Sequence, residues 1–377
     1  MDDGKMRPKK GLEGVIFDTS SISKVVPEQK ALFYRGYPVH LLADLCSFEE
    51  VAYLLWNEDL PTSSELEQFC QKERSLRDIS DELIALIRLY PKGIHPMDAL
   101  RTAISFLGLE DEKAWENTAE DLQRKAFELL AKIPTIIAAN YRVQKGLEPL
   151  APRADLNFSE NVFHMFFDEV PAPEAVKAFD ASLTLYAEHG FNVSTFTARV
   201  VISSLSDVYG AITAAVASLK GSLHGGANEQ VMYMLQEVGD ASKAEAWLQD
   251  ALAQKKKIMG FGHRVYRHGD SRVPTMKKYR NELAKVKGNT ELVELSDILE
   301  EGMIAAKNIY PNLDYPAGPA YYLMGFDIDV FTPLFVMARI TGWTAHLMEQ
   351  LADNRLVRPL SDYNGAAERE PKPITER

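Results

Sequence analysis

The chain opens on short apolar runs and then changes rhythm. GVIFDTSSISKV and ALFYRGYPVHLL carry β-branched and aromatic residues broken by Gly and Pro, the pattern of a small strand or hairpin region. From Ser47 onward the apolar positions fall at helical spacing and mostly stay there. Ser47 and Glu50 stand as a capping box before VAYLLW, and Pro61 is expected to close that element. DELIALIRLY, EDLQRKAFELLAKIPTIIAANY and ENVFHMFF each show apolar residues at helical spacing, whereas GLEPLAPRADLNFS reads as a surface connection. Pro173 suits the first turn of a helix through AVKAFDASLTLYAEH that Gly190 stops. DVYGAITAAVASLK is apolar on nearly every side, so a buried helix is expected, ending at Gly221. More polar helices follow in KAEAWLQDALAQ, KYRNELAKV and VELSDILEEGMIAAKN, before AYYLMGF and FTPLFVMARITGWTAHLMEQL turn strongly apolar again. The expected fold is predominantly α-helical and discontinuous. A large domain begins at 1–221, a more polar small domain occupies 222–320, and the large domain resumes at 321–377.

A length of 377 residues supports that division, because it exceeds what one hydrophobic core usually serves. The formal net charge of -12 argues against nucleic acid or an anionic membrane as the main partner. An anionic ligand must therefore be held by a few local Arg and Lys residues against the overall field. Cys46 and Cys70 show neither metal-ligand spacing nor a disulfide framework, which points to a reduced, cytoplasmic protein. MDDGKMRPKKG resembles no signal or transit peptide, and no apolar run approaches a membrane span.

Three of the eight histidines sit in Gly- or Asn-rich junctions: His189 in AEHGFN, His224 in SLHGGAN and His263 in GFGHRVYR. Taken singly, each is more often a structural residue than a functional one. The neighbouring glycines, however, let a substrate approach closely. His224 precedes the expected start of a helix, whose positive end disfavours imidazolium. A neutral ring there can donate to a developing enolate oxygen, as in triosephosphate isomerase, the standard example. Asp314, in the turn-rich PNLDYPAG, is a candidate base if apolar walls raise its basicity, although Asp in such a sequence commonly only caps a turn. Arg339, inside an apolar helix, needs a buried partner, for which bidentate pairing to a carboxylate is natural. Arg267, Arg272 and Arg358 complete the cationic set, and in isolation Arg267 and Arg358 read as solvated surface charges.

SLHGGANE, GFGHRVYRHGDSR, NLDYPAG and FTPLFVMARITGW, in this order, resemble the citrate synthase family, and LFYRGYPVHLLADLCSFEEVAYLL resembles its N-terminal segment. The resemblance spans nearly the whole chain. It implies an all-α, two-domain fold with a small mobile domain and a minor N-terminal β-hairpin. It also implies a Claisen-type condensation of acetyl-CoA with oxaloacetate. By that resemblance Asp314 removes the acyl proton, His224 stabilises the enol and His263 meets the oxaloacetate carbonyl. His189, Arg272, Arg339 and Arg358 hold the oxaloacetate carboxylates, Arg358 acting in the partner's site of a homodimer. CoA, a co-substrate rather than a tightly bound cofactor, falls to Lys257, Ile258, Met259, Gly260, Phe261 and Arg267. Residues 255–257 would otherwise read as a solvated helix face. No metal is implied, and no zinc spacing such as HExxH occurs.

Two departures bear on specificity. Arg264 stands where many relatives carry a small residue or Pro. YPAG follows Asp314 where 2-methylcitrate synthases often carry an aromatic-Ser pair, yet FTPLFVMARITGW and EQLADNRLVRP resemble those propionyl-CoA enzymes. One methylene is worth only about 1–3 kcal/mol of discrimination, so propionyl-CoA is an alternative donor. From other classes, a non-catalytic acyl-CoA or carboxylate sensor would have no need of His224 and Asp314 together, and a metal-dependent hydrolase would be inactivated by chelators.

Overall fold

A computed structural model describes residues 8–263, 266 and 269–377. The expected hairpin is a three-stranded antiparallel sheet, β1 (Ser23–Val26), β2 (Ala31–Tyr34) and β3 (Tyr37–Pro38), in the order β1-β2-β3. Ser23 faces Tyr34 and Tyr34 faces Tyr37 across its two ladders. The third strand is only two residues long, too short for a periodic signal to reveal it.

Helices follow: α1 (Val39–Leu45), α2 (Phe48–Asn57), α3 (Ser63–Ser75), α4 (Asp81–Arg88) and α5 (Pro96–Glu110). Ser47 and Glu50 do form a capping box at α2, which stops at Asn57 on a left-handed Glu58, before Pro61. Next come α6 (Ala119–Gln144), α7 (Phe158–Phe167), α8 (Pro173–Tyr186), α9 (Val193–Ser203) and α10 (Val208–Leu219). The α6 helix runs through Pro134, whose surroundings Ile133, Ile136 and Ile137 are all buried. Burial of that face outweighs the roughly 3 kcal/mol that an interior proline costs. The α8 helix ends at Tyr186 rather than reaching Gly190, because residues 187–190 turn away to meet the N-terminal sheet.

The remaining helices are α11 (Ala227–Val238), α12 (Ala244–Ala253), α13 (Val273–Lys287), α14 (Glu291–Lys307), α15 (Asp314–Met324) and α16 (Phe331–Ala352). The α16 helix is buried at nearly every position from Phe331 to Leu347, and it packs against α2, α6, α8, α9 and α10. A helix apolar all round belongs at the centre of a protein this size. No helix among the described residues is long and apolar enough to cross a membrane.

Buried carboxylates start two of these helices. Asp180 of α8 accepts the Phe48 amide of α2 at 3.2 Å and the Ser159 hydroxyl at 2.9 Å, and Glu49 accepts the Phe158 amide of α7 at 3.0 Å. Burial, reinforced by the neighbouring Glu49 carboxylate, raises the Asp180 pKa far above the usual carboxylate range. The folded protein therefore binds this proton more tightly than the unfolded chain does. The stabilisation is full below about pH 4 and is lost as pH rises through the raised pKa. Thermal unfolding should show the Tm of the wild type falling between pH 5 and pH 8. Asp180→Asn, which keeps an acceptor oxygen, should flatten that fall, and an unchanged slope would rule Asp180 out as its source.

Candidate active site

Asp314 is not in a loop but is the first residue of α15, a position prepared by two stitched segments. Gly262 donates to the Tyr310 carbonyl at 2.9 Å, Asn312 donates to the Gly260 carbonyl at 2.9 Å, and Phe261 pairs with Pro311. The Asn312 side chain adds a bond to the Gly262 carbonyl at 3.0 Å, and its own oxygen accepts the Asp314 amide at 3.1 Å. Gly260 is required here: its φ is +80°, and a Cβ would lie 2.6 Å from Val231 and 2.9 Å from Tyr315. The stitching ties the segment leading to His263 to the segment leading to Asp314.

The carboxyl of Asp314 accepts the Tyr186 hydroxyl at 2.7 Å. Burial raises its pKa to about 6, while Tyr186, Arg272 and Arg339 pull it down. Such a group is ionised at neutral pH and more basic than an ordinary carboxylate, which suits a proton-abstracting base.

Three rings gather nearby. His189 and His263 lie 4.9 Å apart between centroids, and Tyr266 lies 4.8 Å from His263 and 5.6 Å from His189. The Tyr266 amide donates to His263 Nδ1 at 3.3 Å, which leaves the proton of the neutral ring on Nε2. Burial, then the Arg272 charge, lowers the His263 pKa to about 4. Burial and the same guanidinium hold His189 well below its ordinary value, and its buried Nε2 has no partner among the described residues.

His224 sits just before α11, as expected from its glycines. Its Nε2 meets the Ser194 amide at 3.2 Å and the Ser194 hydroxyl at 2.8 Å. A backbone amide can only donate, so Nε2 accepts and Nδ1 carries the proton. Burial, then Arg339, lowers this pKa to about 4, leaving a neutral donor.

The two buried arginines are held differently. Arg272 forms a fork with Asp270, at 2.9 and 2.7 Å, and Asp270 also accepts the Leu313 amide at 3.2 Å. Burial opposes the Arg272 charge, but Asp270 outweighs it and raises the pKa. Arg339 of α16 is equally buried but pairs with no carboxylate among the described residues. Its Nε donates to the Tyr186 carbonyl at 2.7 Å, and its guanidinium lies 4.8 Å from the Phe335 ring centre. Burial lowers its pKa to about 10, so it remains charged at neutral pH.

Other expected residues lie apart. Ile258 and Gly260 are buried, Met259 and Phe261 are half-buried, and Lys257 is exposed. Phe261 packs on Tyr315 at 4.6 Å. Lys256 of the same run is committed to Glu237. Arg358 is exposed on the C-terminal tail and is not brought to the site of its own chain. Arg264 and Arg267 lie outside the described residues. Among the described residues, no group of three or more His, Cys, Asp or Glu side chains could hold a metal ion.

The sequence reading missed Tyr186, Ser194 and Asp270, which set the base, the His224 tautomer and the Arg272 fork. Nothing in their local spacing marks them. Tyr186 is 128 positions from Asp314 and Ser194 is 30 from His224. The HGDSR string did place Asp270 next to Arg272, and that closeness was the available signal.

A basic carboxylate, neutral imidazole donors and buried guanidinium groups are the chemical means to move a proton beside an anionic ligand. The family model of the citrate synthase C-terminal domain matches residues 11–360. The chain belongs to the citrate synthase family, whose members condense an acyl-CoA thioester with oxaloacetate and hold no tightly bound cofactor. It is 54% identical over 363 residues to citrate synthase of Mycolicibacterium smegmatis, covering 96% of each chain. It is equally 54% identical to 2-methylcitrate synthase of Mycobacterium tuberculosis, covering 96% of this chain and 91% of that one. Among solved structures, citrate synthase of Thermoplasma acidophilum, in a ternary complex with carboxymethyl coenzyme A and oxaloacetate, superposes with a TM-score of 0.93. That match has 32% identity and covers 99% of this chain and 100% of that one.

One stripe of α16 closes the site from behind. Arg339 and Trp343 bond Tyr186 and Ser194, and Gly342 between them lies against residues 187 and 188. A Cβ at Gly342 would fall 2.4 Å from the Ala187 carbonyl and 2.3 Å from Glu188 Oε2. Gly342→Ala should therefore cost about 2 kcal/mol or more, since the clash is partly with backbone. Denaturant unfolding measures this, and unaltered stability would contradict the packing.

Proposed function

We propose that this chain condenses acetyl-CoA with oxaloacetate and water to give citrate and free CoA. The observation that carries the reading is a carboxylate titrating at about 6 within the influence of two buried arginines, in a site whose three imidazoles stay neutral. Asp314 takes a proton from the acyl methyl group, the C–H electron pair becomes the C=C bond of the enol, and the carbonyl π pair moves onto the thioester oxygen. His224 Nδ1–H donates to that oxygen. Stabilising this charge is the larger requirement, because the methyl proton is far less acidic than a carboxylic acid. The enol carbon then attacks the ketone of oxaloacetate. As the C–C bond forms, the carbonyl π pair goes to oxygen, which takes a proton from His263 Nε2. Water cleaves the thioester and frees the CoA thiol.

In this reading His189, Arg272, Arg339 and Arg358 of the partner subunit hold the two carboxylates, so the active unit is a homodimer. The exposed position of Arg358 on the tail fits that role. Lys257, Ile258, Met259, Gly260, Phe261 and Arg267 receive CoA. The small domain at 222–320 closes on the large domain of 1–221 and 321–377, shielding the enol from water. The enzyme works in the cytoplasm.

Propionyl-CoA is the second reading for the donor, favoured by the equal likeness to relatives of both names. Thiol release from each thioester, with and without oxaloacetate, tests both readings. Release should depend on oxaloacetate, with a higher kcat/KM for acetyl-CoA. A higher value for propionyl-CoA would reassign the donor, and oxaloacetate-independent or absent release would sink the proposal. His224→Ala should lower kcat by about 10²–10³, the usual loss for one oxyanion-stabilising donor.

The base must be ionised to act, so kcat/KM should rise with pH through about 6. The Tyr186 hydroxyl favours the ionised form of Asp314. Tyr186→Phe should therefore move the acid limb of the profile to higher pH. An unmoved limb would mean that a different group controls it.

A further inference from the structure

Behind the site lies a buried acid that the proposed reaction does not use. Glu188 and His346 are both fully buried, and His346 Nε2 donates to Glu188 Oε1 at 2.9 Å. The same oxygen accepts the Ser23 hydroxyl at 2.9 Å and the Gly190 amide. Glu188 Oε2 is buried with no hydrogen-bond partner among the described residues and faces α16 at Gly342, one turn beyond Arg339. A buried carboxylate is tolerated only near compensating charge, and here the nearby charges are His346 and Arg339.

The backbone around Glu188 is fastened from the N-terminal sheet. The Tyr34 hydroxyl donates to the Glu188 carbonyl at 2.8 Å, and the Ser23 hydroxyl oxygen accepts the Gly190 amide at 3.1 Å. His189, between these two fixed points, is thereby aimed with its Nε2 uncommitted among the described residues. On the far side, His346 Nδ1 lies 3.6 Å from Glu349 Oε2. Arg199 bridges Glu349 at 2.8 Å and Asp18 at 2.9 Å, and the Ser21 amide donates to Glu349 at 2.9 Å. The network thus runs from residues 18–23 to the floor of the anion pocket.

We propose that Glu188 and His346 are positioning residues for oxaloacetate, which hold His189 and balance the charge of Arg339 without occupying its donors. The geometry separates charge from hydrogen bonding. Glu188 lies near enough to Arg339 to oppose part of the effect of its burial, yet forms no ion pair with it within 4.0 Å among the described residues. Among the described residues only the Tyr186 carbonyl takes an Arg339 N–H, which leaves the guanidinium edge to a substrate carboxylate. A direct Glu188–Arg339 fork would compete with the substrate for those donors.

The proposal rests on the oxaloacetate-condensing reading, and its test separates the two. Steady-state kinetics on the full chain would compare Glu188→Gln, His346→Asn and Ser23→Ala with the wild type, varying oxaloacetate and acetyl-CoA independently. Glu188→Gln and His346→Asn should raise the oxaloacetate KM by about 10–100-fold, with the acetyl-CoA KM unchanged within about twofold. Ser23→Ala removes one hydroxyl at a half-buried position and should raise the oxaloacetate KM by about 3–10-fold. It decides the matter if the buried variants fail to fold. Equal movement of both KM values, or none, would overturn the positioning role. A wild type inactive with oxaloacetate would instead overturn the reaction.

Discussion

The site is organised around a guanidinium placed where water does not reach. Arg339 is 1% exposed, on the central helix and surrounded by apolar side chains. Removing such a charge from water costs several kcal/mol, and the protein does not offset this with a carboxylate fork. It uses the Tyr186 carbonyl, the face of Phe335 and the more distant charge of Glu188. Each of these constrains its neighbours. Tyr186 must end its helix with its carbonyl turned to α16 and its hydroxyl turned to Asp314. Gly342 must lack a side chain, and residues 187–190 must leave the axis of α8.

The same burial acts in opposite directions on the groups around this charge. It raises the pKa of Asp314, because desolvation disfavours the carboxylate, and lowers those of His189, His224 and His263, because it disfavours imidazolium. Arg272 and Arg339 reinforce the effect on the histidines and moderate it on the acid. One dry, positively charged pocket thus supplies a basic carboxylate and neutral donors at the same pH. A wetter pocket would return all four groups towards their ordinary values, so closure against water and acid–base assignment are a single requirement.

The helical rhythm, the capping box at Ser47 and Glu50, and the order of the motif strings were legible because each is local. Asp314 and the three histidines could be named because Gly, Asn and Pro surround them. Their surroundings could not be read in the same way. Ser23 and Glu188 meet across 165 positions and Trp343 and Ser194 across 149, and neither pairing leaves a trace in local periodicity. Gly190 looked like a helix stop, whereas its amide is engaged by Ser23 and Glu188 and the helix ends earlier. Asp314 looked like a loop residue because it stands in the turn-rich string PNLDYPAG. Pro316 falls in the first turn of α15, where a missing N–H costs little.

The two arginines make unequal electrostatic contributions. Asp270 takes the fork of Arg272, and that carboxylate also holds the Leu313 amide at the start of α15. Arg272 therefore serves first as a structural link between the His263 segment and Asp314. Arg339, whose compensation comes from a distance, keeps its charge and pairs with no carboxylate among the described residues. One buried charge is thus balanced by direct contact and the other through space, within the same pocket.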